Sequence, residues 1–116
     1  MGSNLDKSEL MQGTLDMLVL RALRGGSLHG YAIANKIQEG SEGFLHVEEG
    51  SLYPALHRME RRGWIAAEWG LSDTRRKAKF YELTDAGRKQ LVAKTKSWER
   101  LVTAINGVLG TRTAKA

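Results

Sequence analysis

The chain has 116 residues, of which 41% are hydrophobic and 27% charged, an ordinary composition for one globular domain. It contains no cysteine, which excludes disulfides, thiolate catalysis and cysteine-based metal sites. No apolar run approaches the roughly 20 residues that a membrane helix needs, and the N-terminus lacks a signal-peptide pattern. We therefore expect a cytoplasmic protein.

The positive charge is concentrated in the second half of the chain. Residues 1–50 hold four Lys and Arg against seven Asp and Glu, a net charge of −3, whereas residues 51–116 hold fourteen against six, a net charge of +8. A basic half suggests a polyanionic partner. Charge alone does not identify that partner, because many basic proteins bind no nucleic acid.

Glycines divide the chain into four helical segments and one hairpin. The first predicted helix runs from Gly13 to Leu23, with Thr14 as its N-cap and with Gly25 and Gly26 as its stop. The second runs from Ser27, its N-cap, to Glu39.

An acidic loop leads to the third predicted helix, which runs from Ser51 to Arg62 and ends at Gly63. Ser51 is its predicted cap. Pro54 is placed in the first turn, where the missing N–H has no helical partner to lose. The proline is therefore interpreted as a start signal.

Two strand candidates follow, WIAAEW (64–69) and KFYEL (79–83), joined by the polar, basic segment LSDTRRKA (71–78). Thr84 then caps a long helix that reaches Leu109. The order helix, helix, helix, strand, strand, helix predicts a mainly α (α+β) fold, a winged helix-turn-helix. In that fold the third helix enters the DNA major groove and the hairpin forms a basic wing beside it.

The third predicted helix has an apolar side and a basic side. At about 100° per residue, one side holds the apolar positions Leu52, Ala55, Leu56 and Met59. The far side, with Tyr53 at one flank, holds Pro54, His57, Arg58 and Arg61. Such a basic side is ordinary for a solvated helix, but the hairpin adds a second cluster: Arg75, Arg76, Lys77 and Lys79. Two basic clusters on one surface favour contact with nucleic acid.

The chain resembles the PadR-like transcriptional regulators in four segments: LMQGTLDMLVLRAL (10–23), LHGYAIANKIQ (28–38), GSLYPALHRMERRGWI (50–65) and RRKAKFYELTDAGR (75–88). The segments occur in the family's order and spacing, and the resemblance covers roughly Leu10 to Leu109. It is closest to the short class, with one C-terminal helix after the winged domain. It divides the chain into an N-terminal extension (1–12), a winged helix-turn-helix domain (13–83), a dimerisation helix (84–110) and a tail (111–116).

The resemblance implies a bacterial homodimeric repressor of a palindromic operator in double-stranded DNA, with no cofactor and no metal. By the family's pattern, ten residues line the DNA: Tyr31, Lys36, Ser51, Tyr53, Pro54, His57, Arg58, Arg75, Arg76 and Lys77. Arg61 and Lys79 join them from the two basic clusters. For Tyr31 and Tyr53 the alternative interpretation is that each ring packs between helices and does not contact DNA.

The last predicted helix carries apolar residues close to a heptad a/d pattern, interrupted by Lys94. These residues form the predicted dimer interface: Leu91, Trp98, Leu101, Val102, Ile105, Val108 and Leu109. The alternative is a helix buried within its own domain. In some members of the family, aromatic residues in this region border a pocket for flat hydrophobic effectors, so Trp98 is also the candidate effector contact.

Two other classes of function compete with DNA binding. A winged helix that serves as a protein-interaction module would not need a basic wing beside a basic third helix. An enzyme is disfavoured because His29, His46 and His57 are far apart and neither a metal-binding HExxH nor a phosphate-binding GxxxxGK[ST] run occurs.

Overall fold

The computed structural model describes the backbone of residues 7–111 and the side chains of residues 14–111. Its elements, in chain order, are α1 (Lys7–Ala22), a short 3-10 helix (Leu23–Gly25), β1 (Leu28–His29), α2 (Gly30–Gly40), α3 (Glu49–Arg61), β2 (Ile65–Leu71), β3 (Lys77–Leu83) and α4 (Asp85–Leu109). The predicted N-terminal extension and tail lie partly outside the described residues. Within residues 7–111, no helix has the length and apolarity needed to span a bilayer.

The three strands form an antiparallel sheet in the order β1-β3-β2. Strands β2 and β3 pair from Ile65 opposite Leu83, at the buried base, to Leu71 opposite Lys77, at the exposed tip. The predicted winged helix-turn-helix is confirmed. Strand β1 was not predicted, because two residues are too short to show an alternating pattern.

The predicted apolar side of α3 lies in the core. Leu52, Ala55, Leu56 and Met59 are each at most 1% exposed, and they pack with residues of α1, α2 and the sheet: Val19, Leu20, Ile33, Ile65 and Tyr81. Burying a Leu or Met side chain stabilises the fold by roughly 1.5–3 kcal/mol. These four positions therefore fix the rotation of α3 about its axis and leave its other side facing outward.

The C-terminus of α3 turns directly into the wing. Gly63 adopts a left-handed conformation (φ 78°). Its N–H donates to the Glu60 carbonyl at 3.0 Å, and the Trp64 N–H donates to the Met59 carbonyl at 3.0 Å. This pair of hydrogen bonds is a Schellman motif, in which glycine relieves the steric cost of positive φ. The predicted stop at Gly63 is correct, and it places β2 beside α3.

The predicted starts of the first two helices are wrong. Helix α1 begins at Lys7 rather than Gly13, so Thr14 lies inside the helix and is not its N-cap. Helix α2 is capped by His29 rather than Ser27, with the imidazole Nδ1 accepting a hydrogen bond from the Ala32 N–H at 3.2 Å. Helix α2 starts later than predicted because Leu28 and His29 pair with β3 and so cannot be helical.

The predicted start of α3 is also wrong. Its N-cap is Glu48, which makes no side-chain cap hydrogen bond, and Ser51 therefore lies within the first turn instead of capping it. Pro54 falls in the second turn rather than the first. The carbonyl that a residue-54 N–H would reach belongs to Gly50, an exposed residue, so water can satisfy it at little cost.

The joint between α3, β2 and α4 is tightly packed. Thr84 caps α4 as predicted, its Oγ1 accepting from the Gly87 N–H at 3.0 Å. The Thr84 hydroxyl also donates to the Gly63 carbonyl at 2.6 Å, and its backbone N–H donates to the Trp64 carbonyl at 3.1 Å. The start of α4 is therefore fixed to the end of α3 and the base of the wing.

Replacing Gly87 by Ala should disrupt this joint. A Cβ at residue 87 would lie 2.0 Å from the Trp64 carbonyl oxygen, a backbone atom that cannot move without shifting β2. We expect Gly87→Ala to lower the free energy of unfolding by about 2–3 kcal/mol, measured by urea denaturation. Gly107→Ala is the control, because nothing lies within 4 Å of a Cβ at that position of the same helix. The control should be neutral or stabilising by up to about 1 kcal/mol, and equal stability of the two variants would show that the joint is loose.

Candidate nucleic-acid interface

The outer side of α3 is exposed where the sequence predicts it. Ser51, Pro54, His57 and Arg61 all reach solvent on the side away from the core. On α2, the predicted contacts Tyr31 and Lys36 are exposed as well. Hydroxyl, imidazole and guanidinium groups at these positions can bond to phosphates or to base edges.

Tyr53 has a structural role besides any role at the surface. Its side chain packs against Gly30 at the start of α2, where a Cβ would lie only 2.6 Å from the phenolic oxygen, so a larger residue at position 30 would displace the ring. The residue is nevertheless 38% exposed. Burial raises the pKa of the neighbouring Tyr81, and the negative charge of Glu60 raises it further. Tyr81 is therefore a neutral, buried support for this side of the fold.

Two predicted DNA contacts are held in ion pairs. Arg58 Nη2 lies 2.5 Å from Asp16 Oδ1 of α1, and Lys79 Nζ lies 3.3 Å from Glu60 Oε1 of α3. Each pair joins α3 to a neighbouring element, α1 in the first case and β3 in the second. Asp16 is not among the predicted site residues, and its pairing with Arg58 was missed. A carboxylate among the apolar residues of α1 was the signal for a buried pair.

The wing tip is a defined loop. The Ser72 N–H donates to the Arg76 carbonyl at 2.9 Å, the Arg75 N–H donates to the Ser72 carbonyl at 2.8 Å, and the Arg76 N–H reaches Ser72 Oγ at 3.2 Å. Arg75 adopts a left-handed conformation (φ 62°), which is unusual for a residue with a Cβ. These hydrogen bonds fix the backbone from which the wing arginines project.

The cations of the wing tip are free of carboxylates. Arg75, Arg76 and Lys77 are exposed, and among the described residues none of the three has an ion-pair partner. Lys77 Nζ lies 5.3 Å from the centre of the Trp69 ring, a cation–π arrangement that leaves the charge accessible. This cluster can therefore attract a polyanion.

A groove of about 800 Å³ separates the wing from α2 and α3. The predicted residues Tyr31, Tyr53 and His57 line one wall, and Arg76, Lys77 and Lys79 line the other. His29, Asn35 and Trp69 also line the groove and were not predicted as site residues. Trp69 is exposed near the wing tip because β2 extends beyond the core.

The second half of α4 presents an apolar strip. Trp98, Leu101, Ile105, Val108 and Leu109 are between 43% and 88% exposed, and Val102 is half-buried beside them. Monomeric proteins rarely leave such a contiguous patch uncovered.

Two residues of the predicted heptad pattern in α4 behave differently. Leu91 is only 7% exposed and belongs to the protein's own core. Its assignment to the dimer interface is therefore wrong, because α4 packs on its own domain at this position. Lys94, the charged residue that interrupts the apolar pattern, also contacts its own domain, since its Nζ lies 5.0 Å from the centre of the Trp64 ring. The exposed strip therefore begins after Lys94.

Among the side chains of residues 14–111, no cluster of three or more His, Asp or Glu could hold a metal ion. His29 caps α2, and both His29 and His57 line the groove. The described site is a surface of exposed cations and rings around a groove.

Together, the fold and this surface define a winged helix-turn-helix protein with an exposed third helix and a basic wing. The model of the transcriptional regulator PadR-like family matches residues 19–93, and the chain belongs to that family. Its members are transcriptional regulators and not enzymes, in agreement with the sequence-based prediction.

Individual relatives give the same result. A PadR-like transcriptional regulator from Bacillus cereus is 30% identical, with a TM-score of 0.74 over 90% of this chain and 99% of that one. A transcriptional regulator from Clostridium thermocellum is 28% identical, with a TM-score of 0.78 over 85% and 96%. The negative transcriptional regulator PadR of Bacillus subtilis is 31% identical over a match that covers 66% of this chain and 42% of that protein.

Proposed function

We propose that this PadR-family protein is a homodimeric repressor in the bacterial cytoplasm that binds a palindromic operator. Helix α3 enters the major groove, and the wing tip contacts the flanking phosphates. The observation that carries the proposal is that Tyr53 and His57 of α3 border one groove together with Arg76 and Lys77 of the wing. Neither of these two cations has an ion-pair partner among the described residues, and Arg75 is exposed beside them.

The contacts divide into two groups by their chemistry. Base-edge contacts fall to the outer side of α3, where His57 and Arg61 offer donors for the major groove. Contacts with the DNA backbone are assigned to the remaining exposed positions: Tyr31, Lys36, Ser51, Tyr53, Pro54, Arg75, Arg76 and Lys77. Pro54 packs against the sugars, and the others contact phosphates. Lys79 reaches the backbone only when its pair with Glu60, whose side chains are about one-third exposed, opens.

Dimerisation through the apolar strip of α4 supports this mode of binding. A second copy would cover Trp98, Leu101 and Ile105, which their own domain leaves exposed. A two-fold dimer of this kind presents two α3 helices to half-sites about one turn of DNA apart. An operator read in this way is palindromic.

Repression and release follow from the same arrangement. The Bacillus subtilis relative is a negative regulator, and a dimer seated on promoter DNA blocks transcription by occupying it. Trp98 lies in the strip where two copies of α4 would meet, so a flat hydrophobic effector held there would alter the spacing of the two α3 helices. Such an effector would release the operator.

Salt dependence of duplex binding tests the proposal. The affinity for a fluorescently labelled duplex, measured by anisotropy over a NaCl series, should fall with a slope of log K against log salt between about −5 and −10, because each neutralised phosphate contributes about 0.9. A winged helix that serves as a protein-interaction module would bind the duplex weakly and with a shallow slope. A shallow slope would therefore favour that alternative.

A further inference from the structure

We infer that Arg58, although it lies in the recognition helix, does not bind DNA but positions α3 through its ion pair with Asp16. The inference rests on the proposed function, because it assigns a role within the DNA-reading surface. It separates the arginines of α3 into one that is held by the fold and others that are free to reach the duplex.

The first observation is the burial of Asp16. Its residue is 6% exposed, and among the described residues it is the only buried polar or charged one. Its Oδ1 accepts a hydrogen bond from Arg58 Nη2 at 2.5 Å. A carboxylate that loses its partner in the core is strongly destabilising. The guanidinium of Arg58 is therefore held at the core boundary and is not free to turn toward a phosphate.

The second observation is the place of Arg58 on the helix. It follows His57 on the exposed side and precedes Met59 on the buried side, so it lies at the flank of α3. The ion pair therefore resists rotation of α3 about its axis. Such a rotation would carry His57 and Arg61 away from the base edges they are proposed to reach.

The third observation is the connection of α1 to the rest of the molecule. Helix α1 packs against α3 and also against α4, the helix that carries the exposed apolar strip. Asp16 therefore joins α3 to α1, and α1 in turn supports α4, which carries the proposed dimer interface. The position of α3 relative to the two-fold axis depends on this contact.

A positioning role and a phosphate contact have different signatures. Phosphate contacts supply sequence-independent affinity and its salt dependence, whereas base-edge contacts supply discrimination between sequences. Loss of a positioning residue should therefore reduce discrimination and leave the salt slope unchanged. Loss of a phosphate contact should reduce the slope.

The test compares Arg58→Gln with Arg76→Gln, the same change at an exposed arginine of the wing that is assigned to a phosphate. Binding is measured on two probes, a duplex selected by the protein from a random pool and a duplex of unrelated sequence. For Arg58→Gln we expect an unchanged salt slope on the unrelated duplex and roughly a tenfold loss of preference for the selected one. For Arg76→Gln we expect the slope to fall by up to about 0.9 for each copy bound.

The double variant Asp16→Asn with Arg58→Gln keeps the test valid if Arg58→Gln does not fold, since it replaces the ion pair by two neutral amides. Its salt slope should equal that of the wild-type protein. Its loss of melting temperature should be smaller than the sum of the losses in the two single variants. A slope reduced as much as in Arg76→Gln, or unchanged sequence preference in a folded Arg58→Gln, would overturn the inference. A shallow slope in the wild-type protein would instead remove the DNA interface itself, so the two failures are distinguishable.

Discussion

Ile105→Glu converts the proposed dimer into monomers. Ile105 is 46% exposed and lies in the middle of the α4 strip, between Leu101 and Val108. In a two-fold dimer the substitution would place two unpaired carboxylates at the interface, at a cost of several kcal/mol. We expect the dimer dissociation constant to rise by at least about 100-fold, since 1.4 kcal/mol corresponds to a factor of ten. Sedimentation equilibrium measures this constant directly.

The same substitution should weaken operator binding, because a monomer engages one half-site and loses the gain of linked binding, roughly 10² to 10⁴ in affinity. Thr103→Glu is the matched control: it adds the same charge at an exposed position two residues away, on the opposite side of α4. It should leave both the dimer and its DNA affinity intact. A dimer of normal affinity in Ile105→Glu would refute the α4 interface.

The second large effect is expected from the wing. Replacing both Arg75 and Arg76 by Ala removes two exposed cations that have no ion-pair partner among the described residues. For each wing in contact the affinity should fall roughly 100-fold at low salt, since each of the two arginines contributes a charge-assisted hydrogen bond of about 1.5 kcal/mol or more. The slope of log K against log salt should become shallower by about 1.8 for each wing in contact.

The loss in the wing variant should be similar for selected and unrelated duplexes, because phosphate contacts do not read sequence. The control replaces Lys96 and Arg100, two exposed cations of α4 on the side away from the apolar strip, and carries the same change in net charge. Equal losses in the two double variants would mean that net charge, and not the wing, governs affinity.

The outward side of α3 was predictable because it depends on spacing alone. Leu52, Ala55, Leu56 and Met59 recur at helical intervals, and all four are buried, which leaves Ser51, Pro54, His57 and Arg61 exposed. The partner of Arg58 was not predictable in this way. Asp16 precedes it by 42 residues, and a single ion pair between distant segments leaves no periodic pattern.

The helix starts show a second limit of sequence-based prediction. Ser27 and Ser51 have the side chains that favour N-caps, yet neither caps a helix. Strand pairing of Leu28 and His29 with β3 decides where α2 begins. The stop at Gly63 was predictable, since its left-handed conformation is one that glycine adopts most easily.

The heptad pattern of α4 predicted an apolar helix face but not which of its residues the protein's own domain covers. Leu91 and Ile105 carry equivalent apolar side chains, but one is buried in the protein's own core and the other is exposed. The sequence shows that a helix face is apolar and does not show what covers it. That depends on where the short domain ends along a 25-residue helix.

Selection of bound sequences from a pool of random duplexes shows in one experiment whether the protein reads DNA and whether it does so as a symmetric dimer. We expect enrichment of a palindromic site whose half-sites lie about 10–10.5 base pairs apart, or a multiple of that spacing, and we expect Ile105→Glu to fail to enrich it. Recovery of no sequence preference, or of an asymmetric site bound equally well by Ile105→Glu, would refute DNA reading by a two-fold dimer.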